Sequence, residues 1–522
     1  MNRIDLDDDH AVIVIGTGAG GATVAKVLCD SEINVIALEA GPRIEAEEFV
    51  QDEWTSYRTL SWDDERIAAG NWNVARDHPT SPIWHCRVVG GSTVHWLGVA
   101  LRMGEHEFRS LSTYGPIKGA DLLDWPIGLS ELCPYYARAE KIMGVTGTNG
   151  RPRQPVNNNY KVMHAGANRA GYKRIGRGRL AINAAPYDGR PASRQDGFTL
   201  HGDRSQAKWC TSYIEIPRAL ATGRLDLRPR SRVIQIEHDS SGRIVAAVYV
   251  DAAGNRRRQR CRAVVVAGNS IESPRLLLHS ASGRFPTGLA NGSGHVGKHY
   301  MRHVMGTLWS VFEKSIHFHR GETMPGLIAD ESSHKPERGF VGGYYIELNA
   351  MSLPALAVLL RPGLWGTELA WALERYGNMA GLIAVGEDMP RATNAVSLHS
   401  DRVDKFGVPL AIVHYDDHPN DIAMRNHGYK AMTAIHEAAG AVRCYESPPF
   451  PATHNLGTLR MSSLPEDGVV DRNGKAHEVS NLFIADGSVF TTSGAANPTL
   501  TIVALAVRLG EHLAQLLKGG DL

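Results

Sequence analysis

The sequence predicts an α/β chain, α+β overall, with a buried parallel sheet at its start and an antiparallel sheet further on. Three observations carry this. Ala11 to Ile15 is a short, β-branched apolar run leading straight into glycines, as a buried parallel strand does. Gly16, Gly18 and Gly21 fall in G-x-G-x-x-G spacing, with Gly20 between them, and an apolar helical stretch from Ala22 to Leu28 follows. Residues 305–445 alternate apolar and polar positions between Pro- and Gly-marked turns, the period of strands with one face on a core.

In the opening unit each residue type has a physical task. The first glycine permits a tight turn, the second lets backbone approach a pyrophosphate, and the third packs helix on strand. The helix N-terminus turns its unpaired N–H groups and positive dipole end toward phosphate oxygens. Asn34 to Leu38 reads as the second strand and delivers Glu39, about 20 residues beyond the turn, where a ribose hydroxyl needs an acceptor. An acid there repels the 2′-phosphate of NADP. Together these features predict a Rossmann-like dinucleotide-binding domain; they do not separate FAD from NAD.

The 522 residues exceed one ordinary core, so two domains are expected. Hydrophobic content of 43% and charged content of 21% describe a globular protein. A net charge of +1 gives no reason to expect nucleic acid or an anionic membrane as partner. The basic run Arg256 to Arg260 reads as a solvated hairpin turn between two strands. Cys29, Cys86, Cys133, Cys210, Cys261 and Cys444 are scattered without a C-x-x-C pair, which argues against a disulfide framework or zinc site and suits a reducing compartment. With a strand beginning by residue 11 there is no room for a signal peptide, and no apolar run reads as a bilayer span, so a cytoplasmic location without membrane insertion is expected. His295, His299 and His303 stand at helical spacing, but Gly294 and Gly297 interrupt them and no carboxylate follows. No metal site is expected.

Residues 50–84, with Trp54, Tyr57, Trp62, Trp72 and Trp84, read as a long irregular excursion, its rings placed for sugar stacking or for loop packing. Arg87 to Val89 reads as a strand entering Gly90, Gly91 and Ser92, a second close approach of backbone to ligand, with His95 just beyond. Residues 124–147 predict a turn and a helix capped near Ser130, and residues 150–205 a surface connection. Arg232 to Glu237, carrying Val233, pairs with Ile244 to Asp251 as an antiparallel hairpin. Ala263 to Ala267 is a buried strand followed by a helix to Leu278. Further on, a helical piece is expected near 363–378, and Asn394 to Leu398 with Pro409 to Tyr415 as antiparallel strands of a substrate sheet. The predicted cofactor domain comprises 1–50, 85–110, 206–304 and 446–522; residues 51–84, 111–205 and 305–445 form the substrate domain and covering loops.

Near the C-terminus stand His454-Asn455-Leu456-Gly457, then Asn481-Leu482-Phe483-Ile484-Ala485-Asp486-Gly487-Ser488, then Asn497-Pro498-Thr499 before a last helix. With the glycine turn, the segment Arg87 to Trp96, and the order of all these motifs, the chain resembles the glucose–methanol–choline (GMC) family of FAD-dependent oxidoreductases over nearly its whole length.

The resemblance implies FAD as the dinucleotide. Gly16, Gly18, Gly20, Gly21 and Glu39 would hold its adenosine and pyrophosphate end. Gly90, Gly91, Ser92, His95, Val233, Ala267, Asp486, Gly487, Asn497 and Thr499 would complete the contacts. His454 matches the family histidine beside flavin N5, and Asn497 its partner. Hydride transfer from an alcohol carbon to the flavin requires removal of the hydroxyl proton. A histidine accepts that proton near neutral pH, and an asparagine amide stabilises alkoxide charge without titrating. His95 matches the histidine that some members bond to the flavin 8α-methyl and others do not. The residue before it is Val94, with Thr93 one place earlier, whereas pyranose oxidases carry threonine directly before the histidine. That departure favours a quinone over oxygen as acceptor.

The Asn-Pro form at 497–498 is similar to pyranose oxidases, glycoside 3-oxidases, gluconate 2-dehydrogenase and fructose dehydrogenase. The expected activity is oxidation of a secondary ring hydroxyl, at C2 or C3 of a pyranose or glycoside, to a ketone. Alternatives are a gluconate- or fructose-type dehydrogenase subunit passing electrons to a cytochrome or quinone, and a choline or alcohol oxidase. Oligomeric state stays open, a homo-oligomer included.

Overall fold

The computed structural model describes residues 3–56, 65–195, 197–360 and 365–522. Five parallel strands make the first sheet, in the order Leu482–Ile484, Ala263–Val266, Val12–Ile15, Val35–Leu38 and Leu225–Arg228. Val12 registers with Val35 on one side and Ala263 on the other. Both faces of this sheet are covered, which is why its strands read as unbroken apolar runs. Val12, Val14 and Val265 pack on the helices Ala19–Asp30 and Thr499–Gly519. Ile13, Ile15 and Val264 face a core shared with the three-stranded antiparallel sheet Arg232–His238, Ile244–Val250 and Arg256–Arg260.

The second large sheet has six strands, in the order Ala441–Ser447, Val304–Phe312, Met379–Gly386, Tyr344–Leu348, Gly326–Ile328 and Ile175–Arg177. Every neighbouring pair in it is antiparallel. One face packs on the helices Asn158–Arg169 and Pro419–Ala438 through Leu308, Leu382, Met163 and Met432. The other presents Met305, Ile383 and Val385 to a cavity.

Several local expectations are corrected. The basic run is not a turn: Arg256–Arg260 is itself the third strand of its sheet, with Gln259 buried between exposed arginines. Arg87 to Val89 forms no strand; the chain turns there into a short 3-10 helix, Gly91–Val94. The helix of 124–147 runs Leu129–Met143 with Gly128 at its N-cap, so Ser130 lies inside the first turn. Residues 150–205 are more than connection, because Asn158–Arg169 is a helix and Ile175–Arg177 an edge strand of the six-stranded sheet. Asparagine and glycine content hid both.

Ala395–Val403 and Pro409–His414 pair antiparallel as expected, but in a separate sheet completed by Ile67–Ala69. The excursion at 50–84 therefore contains a strand, and also the helices Glu53–Ser56 and Asn73–Asp77. Of its aromatic residues, Trp72 is packed against Tyr415 and Trp84 borders the cavity. Tyr57, Trp62 and the Trp54 side chain lie outside the described residues. The helical piece near 363–378 is Gly366–Glu374. One helix, Thr499–Gly519, is long and apolar enough to cross a membrane by length and composition, contrary to the sequence reading. Its apolarity is that of a core helix, packed on Ala19–Asp30 and Leu129–Met143.

Candidate active site

A cavity of about 370 Å³ runs from the C-terminal edge of the parallel sheet to the six-stranded sheet. Ligands in open α/β sheets bind at that edge. Gly16, Gly18, Gly20, Glu39, Gly91, Ser92, His95, Val233, Ala267, Asp486, Gly487, His454, Asn497 and Thr499 all line it. Two of the sequence-predicted residues stand behind it. Gly21 packs where a Cβ would sit 2.1 Å from the Gly16 carbonyl oxygen, which is the helix-packing task of the third glycine. Gly90 donates its N–H to Thr17 Oγ1 at 3.1 Å and so braces the turn.

The glycine turn is open on one side only. A Cβ on Gly20 would fall 1.4 Å from the Ala485 carbonyl oxygen, whereas one on Gly18 would meet nothing nearer than Gly91 Cα at 4.0 Å. The space left at Gly18, faced by Gly91, is a cradle at the N-terminus of the helix Ala19–Asp30, suited to a pyrophosphate. At the neighbouring strand end Glu39 accepts from Thr17 N and Oγ1 at 3.1 and 2.8 Å and from Gly41 N at 2.9 Å. Burial pushes its carboxyl up and these donors pull against it. Oε2 takes both Thr17 donors, and Oε1, with Gly41 alone, has capacity for a further donor, as a ribose hydroxyl would supply.

Beyond Glu39 the wall is charged. Burial opposes ionisation of Glu272, but Arg232, Arg66 and Arg275, at 2.7, 2.7 and 3.1 Å, overrule it and hold the carboxyl well below its usual range. Asp486 is spent on the chain itself: its carboxylate accepts from Asn269 N, Ser273 Oγ and Ser488 N at 2.9, 2.6 and 2.8 Å. It fixes the start of the helix Asn269–His279 against the cavity wall.

His95 sits at the C-terminus of the 3-10 turn with Nδ1 2.5 Å from the Leu200 carbonyl oxygen. Burial lowers its pKa to about 3, so the ring is neutral. Lys208 holds the segments on both sides of this contact. Its fully buried ammonium donates to the carbonyls of Val94, Trp96 and Thr199, each at 2.8 Å. Thr93 also lines the cavity, and its hydroxyl donates to the Gly90 carbonyl at 2.5 Å.

At the far end His454 is half-buried with its Nδ1 3.1 Å from His303 Nδ1. Burial first, and then the neighbouring His303, which opposes a second charge beside it, hold His454 well below the usual histidine range. Asn497 Nδ2 lies 3.5 Å from Glu347 Oε2. Glu347 points to the cavity side of its sheet, opposite cavity-lining Ile383, and Thr307 flanks Ile383 on the other strand. Glu347, Thr307 and Asn497 are 1%, 2% and 5% exposed. Among the described residues Glu347 Oε1, Thr307 Oγ1 and Asn497 Oδ1 nevertheless have no hydrogen-bond partner. Burial raises the Glu347 pKa to about 7.

Sequence reasoning missed Glu347, His303 and Lys208. A lone acid in the apolar strand Tyr344–Leu348 was a usable signal; the pairing of His303 with His454 across 151 positions was not. His295, His299 and His303 form no metal face, since His295 Nδ1 bonds His299 Nε2 at 2.9 Å while His303 turns to His454. A different group, His106, Glu107 and Glu387, could reach a common ion, but protein donors already engage both carboxylates, Ala495 N on Glu107 and Gly343 N on Glu387 among them.

Family models described as GMC oxidoreductase match residues 11–305 and 390–506. The chain belongs to the GMC oxidoreductase family. It is 34% identical to 2-methyl-1,2-propanediol dehydrogenase of Mycolicibacterium austroafricanum, over 97% of this chain and 96% of that one. It is 28% identical to the fructose dehydrogenase large subunit of Gluconobacter japonicus, over 98% of each chain. Among solved structures, Aspergillus oryzae formate oxidase superposes with a TM-score of 0.68 at 14% identity, covering 99% of this GMC chain and all of the other. The protein is thus a GMC oxidoreductase acting on CH–OH groups. Membership implies FAD, and the open cradle at Gly18 with the acceptor Glu39 fits that group.

Proposed function

We propose that this GMC oxidoreductase oxidises one hydroxyl of a polyhydroxy compound, a secondary ring hydroxyl at C2 or C3 of a pyranose or glycoside, to a ketone. The observation that carries the reading is the set of three unpartnered buried polar atoms on Glu347, Thr307 and Asn497; Asn497 lines the same cavity as His454, and the other two register with cavity-lining Ile383. Leaving such atoms unpaired costs free energy, and a substrate with several hydroxyls supplies the missing partners. A simple alcohol supplies too few. One relative is named for a 1,2-diol and another for a sugar, which supports the same class.

Bound FAD would take the two electrons released with the carbinol hydrogen. His454, half-buried on the cavity wall and neutral, accepts the hydroxyl proton on its free ring nitrogen. The Asn497 amide donates to the substrate oxygen and stabilises its developing negative charge without titrating. Glu347 receives a neighbouring hydroxyl and so orients the ring. Gly16, Gly18, Gly20, Gly91 and Glu39 hold the cofactor's nucleotide end, and Val233, Ala267 and Thr499 flank it.

The parallel sheet draws all its strands from 1–50, 206–304 and 446–522, and the six-stranded sheet draws from 111–205 and 305–445 apart from boundary residues. This supports the two-domain division read from the sequence. The six cysteines stand as free thiols, which supports a cytoplasmic site.

Anaerobic titration with pyranoses, glycosides, 1,2-diols, gluconate, fructose and choline, followed at the flavin band, tests the reading. Bleaching by a pyranose or glycoside supports it, and the product ketone names the carbon. Bleaching by choline or monoalcohols alone sinks it. The Thr93 hydroxyl, one place earlier than in pyranose oxidases and engaged by the Gly90 carbonyl, favours a quinone or cytochrome over oxygen as acceptor; slow reoxidation in air with fast reoxidation by a quinone is the expected result. A covalent link, if made, is at His95: flavin that stays with the denatured chain but leaves it in His95→Ala assigns the bond.

A further inference from the structure

Three groups stand in line behind the cavity face of His454. Its Nδ1 lies 3.1 Å from His303 Nδ1, and the two rings meet edge to face at 82° with centroids 5.0 Å apart. The other nitrogen of His303, Nε2, lies 3.2 Å from the Ser493 carbonyl oxygen. A carbonyl only accepts, so His303 Nε2 carries the hydrogen. In a neutral ring its Nδ1 is then bare and must accept. His303 is 1% exposed, and burial takes its pKa down to about 4, so the neutral ring is the resident form near pH 7. The donor to His303 Nδ1 can only be His454 Nδ1–H. His454 Nε2 is left without a hydrogen.

The support for this line is itself fixed. His303 sits at φ 61°, in the left-handed region that a bulky residue enters at a cost. Asp388 ties the two ends together, accepting Arg302 N–H at 2.6 Å and donating its own N–H to Ser493 Oγ at 3.1 Å. The titratable groups facing His303 are His454 and, through the His303 backbone N–H, Asp388.

We propose that His303 is a positioning residue that holds His454 in its Nδ1–H tautomer, making Nε2 the proton acceptor for the substrate hydroxyl. The inference rests on His454 being the base of the proposed reaction. In the step it governs, the substrate O–H bond breaks, its electron pair stays on oxygen, and the proton forms a bond to His454 Nε2. The resulting imidazolium keeps its Nδ1–H on His303 Nδ1, which accepts that hydrogen bond from the charged ring. Residues that orient a catalytic imidazole through its second nitrogen act in this way elsewhere, and losing the correct tautomer is costly.

The test compares His303→Leu, which removes the acceptor, with His303→Asn, whose Oδ1 can still accept Nδ1–H. Both are assayed as holoenzymes, on whichever polyol reduces the parent. In the leucine variant kcat falls by about 100-fold, with KM and flavin content near the parent's. In the asparagine variant most of the loss is recovered. The acid limb of kcat/KM, steepened in the parent because both rings protonate, becomes a single-proton limb with asparagine. Equal losses in both variants, or no loss in either, overturn the proposal.

A direct readout keeps it falsifiable without turnover. In protein labelled with 15N-histidine, the His454 resonances, assigned by their loss in His454→Gln, report an unprotonated Nε2 if the proposal holds. A protonated Nε2 in the parent overturns it. If no polyol reduces the protein, the functional reading fails while this spectrum still decides the tautomer.

Discussion

Asn497 Nδ2 reaches Glu347 Oε2 across 3.5 Å and so joins the loop before the last helix to the middle of the six-stranded sheet. The contact uses one oxygen of a carboxylate whose second oxygen has no partner among the described residues. A carboxylate stranded in this way is a receptor for a hydroxyl. Glu347→Gln is expected to raise KM for polyols about 10-fold or more, the value of a hydrogen bond to a charged group, while monoalcohol kinetics stay unchanged. Because the Glu347 pKa is raised to about 7, polyol KM in the parent improves as pH rises through 7. The glutamine variant lacks that slope. A pH-independent KM in both proteins would remove Glu347 from substrate binding.

Two glycines of the turn are expected to fail differently. Gly20→Ala drives a Cβ into the Ala485 carbonyl at 1.4 Å, so soluble yield and unfolding temperature fall. Gly18→Ala meets only Gly91 Cα at 4.0 Å, so the fold survives. What it fills is the cradle, and flavin content is expected to drop. Flavin absorbance per protein and thermal unfolding, measured together, separate the two. Full flavin loading in Gly18→Ala would place the pyrophosphate elsewhere.

Much of this was legible because local chemistry and local sequence coincide. Residues 11–39 hold strand, turn, helix, strand and acid in one stretch, and the structure keeps that order from Val12–Ile15 to Glu39. The positions of His454 and Asn497 at one cavity follow motifs that are likewise contiguous. What stayed hidden depends on pairing across long separations. Ile67–Ala69 becomes a strand only beside Pro409–His414, and Ile175–Arg177 only beside Gly326–Ile328. Neither three-residue run has a period to read. His303 was conspicuous only as part of a helical metal spacing, yet its backbone is left-handed and its partner is His454.

Lys208 carries a prediction about His95. Its ammonium is the donor to three buried carbonyls, of Val94, Trp96 and Thr199. Lys208→Met leaves those oxygens without it, at about 3 kcal/mol or more for the set. Because the carbonyls bracket His95 and the Leu200 contact, denaturant unfolding is expected to lose that stability, and flavin is expected to leave at lower denaturant than in the parent. A variant as stable as the parent would show that water replaces the ammonium.

Glu215 gives the fold a pH dependence separate from the reaction. Its carboxyl, buried at the start of the helix Glu215–Ala221, accepts Trp209 Nε1–H at 3.1 Å on Oε1, while Oε2 has no partner among the described residues. Burial raises its pKa from 4.5 to about 7, against the opposing Trp209 bond. A carboxyl raised on folding stabilises the native state fully below its unfolded value, and that contribution is lost as pH rises through the folded one. Between about pH 4.5 and 7 the loss is on the order of 3 kcal/mol. Glu215→Gln keeps an acceptor for Trp209 and removes the titration. Thermal unfolding from pH 5 to 9 is therefore expected to show parent and variant close together at pH 5, the variant increasingly the more stable up to about pH 7 and ahead by a constant margin above it. Glu347 and Glu387, raised to about 7 and about 8 by burial, push the parent the same way, so its unfolding temperature keeps falling in the variant background, only less steeply. Parallel curves for the two proteins would mean that Glu215 does not titrate in this range.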